Sequence, residues 1–124
     1  MEVLFFEYPK CSTCKKARKW LDEHNVAYTD RHIVENNPTA EELGSWMHES
    51  GLPLRKLFNT SGMLYRELGV KAQLDAGMSE EDALALLATN GMLVKRPLLV
   101  IRDEGELRVC AGFKEEEWVA ALKL

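Results

Sequence analysis

The sequence predicts an α/β fold with a mixed sheet, in which a βαβ unit, a series of helices and a ββα unit follow one another. Short β-prone runs lie near the two ends of the chain, and helical spacing fills the middle. A hydrophobic content of 46% in 124 residues is enough for one core without disulfides. We therefore expect residues 1–124 to form a single domain, with a helical insertion at about residues 39–90.

The first predicted unit is a strand, a helix and a second strand. The apolar run Val3–Phe6 ends before Pro9, which cannot donate a hydrogen bond to a sheet. Apolar or small residues then recur at helical spacing between Cys14 and Leu21, and the helix is predicted to end near Asn25. Residues 26–34 can form a second strand, which a right-handed crossover would lay parallel to the first.

A series of helices is predicted for the middle of the chain. Thr39 and Glu42 have the spacing of a capping box, and Gly51 is a suitable end for the helix that follows. Ser79, three residues before Asp82, caps a later helix. The apolar residues between them fit two short helical turns, near residues 54–58 and 64–68.

A hairpin and a final helix are predicted for the last part of the chain. Residues 98–101 are apolar, a turn follows at 103–105, and apolar residues alternate with others over 107–110. The acidic run 115–117 then opens an amphipathic segment, where its charges complement the helix dipole. The hairpin completes the predicted sheet.

Charge and cysteine content restrict the classes of function. The net charge is -4, with acidic and basic residues interspersed, which gives no case for direct binding to nucleic acid or an anionic membrane. We expect no signal peptide and no membrane-spanning segment. Three cysteines are too few for a secreted disulfide framework, so we expect a reducing, cytoplasmic location.

Two cysteines, Cys11 and Cys14, form a CxxC motif between the first strand and the first helix. Cys11 should lie at or just before the start of the helix, where unpaired backbone N–H groups favour a thiolate. Nearby lysines add positive charge that solvent screens. We therefore expect Cys11 to be the nucleophile and Cys14, one turn further on, to be the resolving thiol.

Other interpretations of the cysteines remain open. Cys11 and Cys14 could be small apolar residues at a tight turn, although CxxC at a strand–helix junction is typical of redox sites. A zinc site would need two more ligands, and the remaining Cys110 and the histidines show no second paired spacing. We predict no metal site, and we expect Cys110 to be a buried structural residue.

Arg96 and Pro97, just before the third strand, form a second candidate group. About one X–Pro bond in twenty is cis, and a cis bond here would turn this chain end towards the cysteines. Arg96 could then bind an anion. From the residues alone, an ordinary turn arginine is the favoured interpretation.

Motifs in three separated places carry a resemblance to a known family. They are Tyr8-Pro9-Lys10-Cys11-Ser12-Thr13-Cys14-Lys15-Lys16-Ala17, Asn59-Thr60-Ser61-Gly62 with Tyr65-Arg66, and Lys95-Arg96-Pro97-Leu98-Leu99 with Gly112-Phe113. With them the chain resembles the arsenate reductase-like (ArsC) family over nearly its whole length, and within it the Spx-related branch. The resemblance implies a thioredoxin-like fold with a helical insertion, a catalytic role for Cys11 and an oxyanion-binding role for Arg96.

The sequence departs from the family's glutathione-dependent arsenate reductases at two anion-binding positions. Those enzymes carry two further arginines, where this chain has Asn59 and either Ala111 or Gly112. Each bidentate arginine contact contributes about 1.5–3 kcal/mol, so with Arg96 as the one remaining cation we expect weak activity on arsenate. Those reductases also generally lack the second cysteine, which makes a reversible disulfide the more natural chemistry here.

The resemblance indicates a thiol–disulfide oxidoreductase without a bound cofactor. Glutathione, another low-molecular-weight thiol, glutaredoxin or thioredoxin would then be the reductant. The alternative is an Spx-type redox-sensing transcriptional regulator that binds the C-terminal domain of the RNA polymerase α-subunit. The net negative charge would suit docking to a basic partner.

Overall fold

A computed structural model describes all 124 residues of the chain and contains four strands and six α-helices. The strands are β1 (Glu2–Glu7), β2 (Thr29–His32), β3 (Leu98–Asp103) and β4 (Glu106–Ala111). The helices are α1 (Ser12–Glu23), α2 (Ala40–Ser50), α3 (Met63–Glu67), α4 (Val70–Asp75), α5 (Glu80–Thr89) and α6 (Glu115–Leu122). Two 3-10 helices lie at Leu54–Leu57 and Gly91–Leu93. None of the helices is long and apolar enough to cross a lipid bilayer.

The four strands form one mixed sheet in the order β2-β1-β3-β4. β1 and β2 are parallel, joined by the α1 crossover, whereas β3 is antiparallel to both β1 and β4. The β3–β4 turn has positive φ at Glu104 and Gly105, the sign that a type I′ turn requires. The predicted α/β class and the predicted order of elements are therefore confirmed.

A separate apolar core covers each face of the sheet. Because successive strand residues point to opposite faces, Phe6 and Leu98 contact the helical insertion, whereas Phe5 and Leu99 contact α1 and α6. Trp118 of α6 is fully buried in the second core. The two cores hold α1 on one face of the sheet and the insertion on the other, so loops from both faces meet at the end of β1.

The predicted helix signals in the insertion are confirmed. Thr39 and Glu42 form a reciprocal capping box, with both hydrogen bonds at 3.0 Å, and Gly51 ends α2 with a φ of 78°. Ser79 caps α5 by accepting a hydrogen bond from the backbone N–H of Asp82 at 3.1 Å. Each such cap typically contributes about 1 kcal/mol to stability.

Two predicted segments differ from the observed ones. The second strand is limited to Thr29–His32, because it is an edge strand and pairs with β1 only from Leu4 to Glu7. The helix α4 was not predicted, because Gly69, with a φ of 61°, separates it from α3 and it buries a single side chain, that of Val70. Short segments of this kind lack the periodicity on which prediction depends.

A pairing distant in sequence joins the insertion to the segment before β3. The backbone N–H of Asn59 donates to the Leu93 carbonyl at 2.8 Å, and that of Lys95 donates to the Leu57 carbonyl at 2.7 Å. Gly91 lies so close to the Ile33 backbone that an added Cβ would overlap the Ile33 carbonyl. These contacts hold residue 59 beside residues 95 and 96.

Candidate active site

Cys11 is the N-cap residue of α1. Its Sγ accepts a hydrogen bond from the backbone N–H of Cys14 at 3.3 Å, and its own N–H donates to the Tyr8 carbonyl at 2.9 Å. The side chain is partly exposed. Unpaired N–H groups and the positive end of the helix dipole stabilise negative charge at this position. The sulfur therefore occupies the place predicted for a nucleophile.

Cys14 is on the inner side of the first turn of α1 and is 1% exposed. Burial, followed by a hydrogen bond with the Cys11 side chain, raises the pKa of the Cys14 thiol to about 12. A backbone hydrogen bond with Tyr8 and the positive charge of Arg96 oppose this rise in pKa. The Cys14 thiol is therefore protonated at neutral pH and lies against the sulfur that it would resolve.

Arg96 precedes Pro97 through a cis peptide bond. Its guanidinium carbon lies 5.3 Å from the centre of the Tyr8 ring, and its Nη1 is 3.5 Å from the Met92 carbonyl oxygen. The Nε atom is buried and has no hydrogen-bond partner. Leaving a buried donor unpaired costs about 1–3 kcal/mol, which an anion at Arg96 would offset.

Asn59 is 9% exposed and its side-chain amide contacts the loops on either side of it. Its Nδ2 is 3.5 Å from the Met92 carbonyl, the same oxygen that Arg96 contacts, and its Oδ1 accepts from the Ser61 hydroxyl at 3.4 Å. A Cβ at Gly62 would lie 2.8 Å from Nδ2. Asn59 therefore contacts the segment that precedes Arg96, and it adds no charge to the site.

Cys11, Asn59 and Arg96 line one cleft of about 420 Å³. Its other lining residues are Thr13, Ser61, Gly62, Lys95, Ala111, Gly112, Phe113 and Lys114. Each of the three motifs that carried the family resemblance thus contributes residues to the lining of this cleft. No carboxylate lines this cleft.

Lys95 and Lys114 line the cleft as well, which the sequence analysis missed. The sequence analysis expected Arg96 to be the one remaining cation for a bound oxyanion, whereas the cleft is lined by two further cations. The stem of Lys95 runs across Gly112, where its Cε would lie 3.1 Å from an added Cβ. The stem of Lys95 thus occupies the space that a side chain at position 112 would need. The one sequence signal that could have placed Lys95 in the site is that it directly precedes Arg96.

Basic residues are interspersed with acidic ones in the sequence, but most of those without an ion pair lie at or near the cleft. Half of the sixteen lysines and arginines form no ion pair. Three of these line the cleft, and three flank Cys11 and Cys14 in sequence. The eight are Lys10, Lys15, Lys16, Lys56, Arg66, Lys95, Arg96 and Lys114. The site is cationic although the whole chain is acidic.

Cys110 lies outside this cleft, on β4 in the core formed with α1 and α6. It is 7% exposed, and burial, followed by the charge of Glu117, raises the pKa of its thiol to about 11. This agrees with the predicted structural role. No cluster of three or more histidine, cysteine, aspartate or glutamate side chains is arranged to hold a metal ion.

A larger cavity of about 550 Å³ lies at the far end of the sheet. Its lining includes Leu4, Trp46, Val100 and Arg102, but no cysteine. Of these two, the smaller cleft is therefore the one whose lining combines a cysteine, several cations and an arginine with an unpaired buried donor.

Comparisons with known proteins agree with this site and fold. The ArsC family model matches residues 6–121. A crystal structure of an ArsC family related protein from Bacteroides fragilis is 55% identical, with a TM-score of 0.87 over 98% of both chains. The Bacillus subtilis protein YusI is 51% identical over 95% of this chain and 96% of its own. The global transcriptional regulator Spx of Staphylococcus saprophyticus is 30% identical over 93% of this chain and 82% of its own.

These matches extend over nearly all of the chain, and the structural neighbours share its thioredoxin-like fold. The chain belongs to the ArsC family, in its Spx-related branch.

Proposed function

We propose that the protein is a thiol–disulfide oxidoreductase in which Cys11 attacks and Cys14 resolves. The observation that carries this proposal is the N-cap position of Cys11, whose sulfur accepts the Cys14 N–H at 3.3 Å and lines a cationic cleft. A thiolate at a helix start beside positive charge is the form that attacks disulfides. Cys14 is close enough in sequence and space to displace whatever Cys11 binds.

In the first step, the Cys11 thiolate attacks one sulfur of a substrate disulfide. The substrate S–S bond breaks, a mixed disulfide forms on Cys11, and the other substrate sulfur leaves as a thiolate. In the mixed disulfide Cys11 carries no charge. Both contributions of Cys11 to the raised pKa of Cys14, its hydrogen bond and its charge, are thereby removed.

In the second step, Cys14 transfers its proton to the departed thiolate and attacks the Cys11 sulfur. A Cys11–Cys14 disulfide forms, and the second substrate sulfur leaves as a thiolate that is protonated by solvent. Two electrons have passed from the protein to the substrate. Two molecules of glutathione or of another low-molecular-weight thiol, or one dithiol protein such as glutaredoxin or thioredoxin, return them and are themselves oxidised to a disulfide.

Arg96 binds the anionic part of the substrate in this proposal. Its buried Nε lacks an acceptor, and the Tyr8 ring and the Met92 carbonyl hold the guanidinium in place. A carboxylate could accept from Nε while facing the ammonium groups of Lys95 and Lys114. Asn59 acts indirectly as a positioning residue, because it shares the Met92 carbonyl with Arg96.

We propose that arsenate is a poor substrate. The cleft supplies one guanidinium and two lysines, and a lysine is a point charge that does not match an oxyanion with two parallel hydrogen bonds. A disulfide brings no comparable negative charge to the Cys11 thiolate, so its attack is not opposed by repulsion.

A turnover assay tests the proposal, with a glutathione mixed disulfide and with arsenate as substrates. Cys11→Ser should lower disulfide turnover by about 100-fold or more, because the hydroxyl is a far weaker nucleophile. Cys110→Ala is the matched control, since it removes a thiol outside the cleft, and it should stay within about twofold of the wild type.

Equal loss of turnover in both folded variants would overturn the assignment of Cys11. For arsenate, efficient saturable reduction that depends on Cys11 but is unaffected by Arg96→Ala would contradict the proposed anion site. Circular dichroism of each variant separates a loss of chemistry from a loss of fold.

A redox-sensing transcriptional regulator is the second candidate function. The 30% identity to an Spx regulator favours it, and the same Cys11–Cys14 pair would be the sensor. A pull-down with the C-terminal domain of the RNA polymerase α-subunit, using reduced and oxidised protein, tests it. Binding that changes with oxidation, without disulfide turnover, would support the regulator and contradict the enzyme.

A further inference from the structure

Six cations without an ion pair line the Cys11 cleft or flank the CxxC motif in sequence. Lys95, Arg96 and Lys114 line the cleft itself. Lys10 precedes Cys11, and Lys15 and Lys16 lie exposed in the first two turns of α1. We call these six residues the cationic collar.

The collar extends beyond the cleft along α1. Cys11 and Thr13 line the cleft. Residues three and four positions apart lie on the same side of a helix, so Lys15 follows Cys11 and Lys16 follows Thr13 along α1. The positive surface is therefore longer than the 420 Å³ cleft, and a small anion could not contact all of it.

The collar residues make no ion pair with the acidic side chains of this molecule, although Glu115–Glu117 follow Lys114 in sequence. No carboxylate lines the cleft itself. The buried Nε of Arg96 also lacks an acceptor. Unpaired cations of one sign in and around a concave site attract a partner of the opposite charge and raise its rate of association.

The rim of the cleft also offers an apolar contact. Met63 is 71% exposed and follows Ser61 and Gly62, which line the cleft. Phe113 lines the cleft from the opposite part of the chain. An occupant that contacts both the collar and this rim needs acidic and apolar side chains together, as a protein segment has.

We propose that the macromolecular substrate of this site is an acidic protein segment that carries the disulfide reduced by Cys11. This inference rests on the proposed oxidoreductase function and names its substrate class. Carboxylates of the segment pair with the cationic collar, and the disulfide lies at Cys11. The partner's charge is thus the opposite of that suggested by the net charge of the chain, because docking depends on the local surface.

The covalent step is the one given above and needs no further reactant. Cys11 displaces one substrate sulfur, Cys14 displaces the second, and a low-molecular-weight thiol restores both cysteines. The collar acts before this step, because it concentrates and orients the segment and leaves the sulfur chemistry unchanged.

Peptide substrates that differ in charge alone test the proposal. Three peptides of equal length carry the same disulfide, flanked by four glutamates, four glutamines or four lysines. At low ionic strength kcat/KM should be about 10-fold higher for the glutamate peptide than for the glutamine peptide, and lowest for the lysine peptide. The differences should shrink as salt is raised towards 0.5 M, a concentration of about that size being enough for strong screening.

Two double variants locate the effect. Lys95→Gln with Lys114→Gln should reduce the preference for the glutamate peptide to about 3-fold or less. Lys56→Gln with Arg66→Gln removes two unpaired cations outside the collar and should leave the preference unchanged. Equal effects of the two pairs would overturn the assignment of the collar.

The outcomes separate this inference from the function on which it rests. If no peptide is reduced in a Cys11-dependent manner, the proposed function fails. If all three are reduced at similar rates at low salt, the function stands and the acidic-segment proposal is wrong. Competition by a short single-stranded DNA that is stronger than competition by the glutamate peptide would also overturn it, in favour of a nucleic-acid partner.

Discussion

Cys11 lies at the start of α1 on the wall of the cationic cleft, whereas Cys110 lies on β4 beneath α6. The first sulfur accepts the backbone N–H of Cys14 and belongs to a cleft that Lys95 and Lys114 also line, whereas the second lies among apolar side chains and near the charge of Glu117. Burial thus raises the pKa of the Cys110 thiol, whereas the Cys11 thiol lies at the helix start, where the proposed reaction needs a nucleophile.

Cys14 shows that burial alone does not decide a thiol's role. It is more deeply buried than Cys110, and the pKa of each is raised, to about 12 and about 11. Cys14 differs because it contacts the Cys11 sulfur, whose change of charge during reaction would release it. Cys110 has no such neighbour, so nothing in a reaction cycle would activate it.

The largest expected effect is a difference in alkylation rate between the two regions. At pH 7 a thiol with a pKa of about 11 is thiolate in roughly one molecule in ten thousand. Iodoacetamide should therefore modify Cys11 more than about 100-fold faster than Cys110 in the folded protein. Peptide mass spectrometry at timed intervals measures both rates, and equal rates would remove the distinction between the two sites.

Removing the resolving thiol should have the next largest effect. Cys14→Ala should leave the attack of Cys11 intact but stop the reaction at the mixed disulfide, which lowers turnover by about 10-fold or more. Intact-mass analysis should then detect one substrate half attached to Cys11. Accumulation of the same adduct in the wild type, at the same level, would show that Cys14 does not resolve it.

Both buried thiols should make stability fall at alkaline pH. A pKa raised by folding favours the protonated form in the native state, so the contribution is fully present below about pH 8.5 and is lost towards pH 11–12. For each thiol the loss should reach about 2 kcal/mol at pH 10. Urea unfolding at pH 7 and 10 measures it, and Cys110→Ala should show a smaller decline than the wild type.

A smaller effect on turnover is expected from a substitution at Gly112, a backbone position in the lining of the cleft. Gly112 has a φ of 85°, and an added Cβ would press on the Lys95 stem at 3.1 Å. Gly112→Ala should cost about 1 kcal/mol of stability and reduce disulfide turnover a few-fold, because Lys95 must move.

The control for this change is Gly77→Ala. Gly77 has a φ of 99° but no atom within 4 Å of an added Cβ, and it is outside the cleft. It should lose similar stability and keep its turnover. If both variants keep full turnover, Lys95 has no role in the reaction.

The sequence was most informative where the signal is local. The capping box at Thr39, the cap at Ser79 and the end of α2 at Gly51 each depend on residues within a few positions of one another. The position of Cys11 at a helix start was predictable for the same reason, since a strand and a helix flank it.

The sequence was least informative where distant segments meet. The positions of Lys95 and Asn59 in the cleft depend on the pairing between residues 57–59 and 93–95. No local sequence pattern predicts that pairing. The grouping of unpaired cations around the cleft depends on which acids pair elsewhere, which charge counting cannot show. The extent of the edge strand β2 and the presence of the helix α4 likewise depend on tertiary contacts.

Mapping the disulfide after oxidation tests the central claim most directly. Reduced protein is mixed with one equivalent of glutathione disulfide, quenched with acid and digested for mass spectrometry. We predict a Cys11–Cys14 linkage with Cys110 free and two molecules of glutathione released, because the two sulfurs are neighbours at the start of α1. Recovery mainly of Cys110-linked peptides, or of stable glutathione on Cys11 in the wild type, would contradict the account.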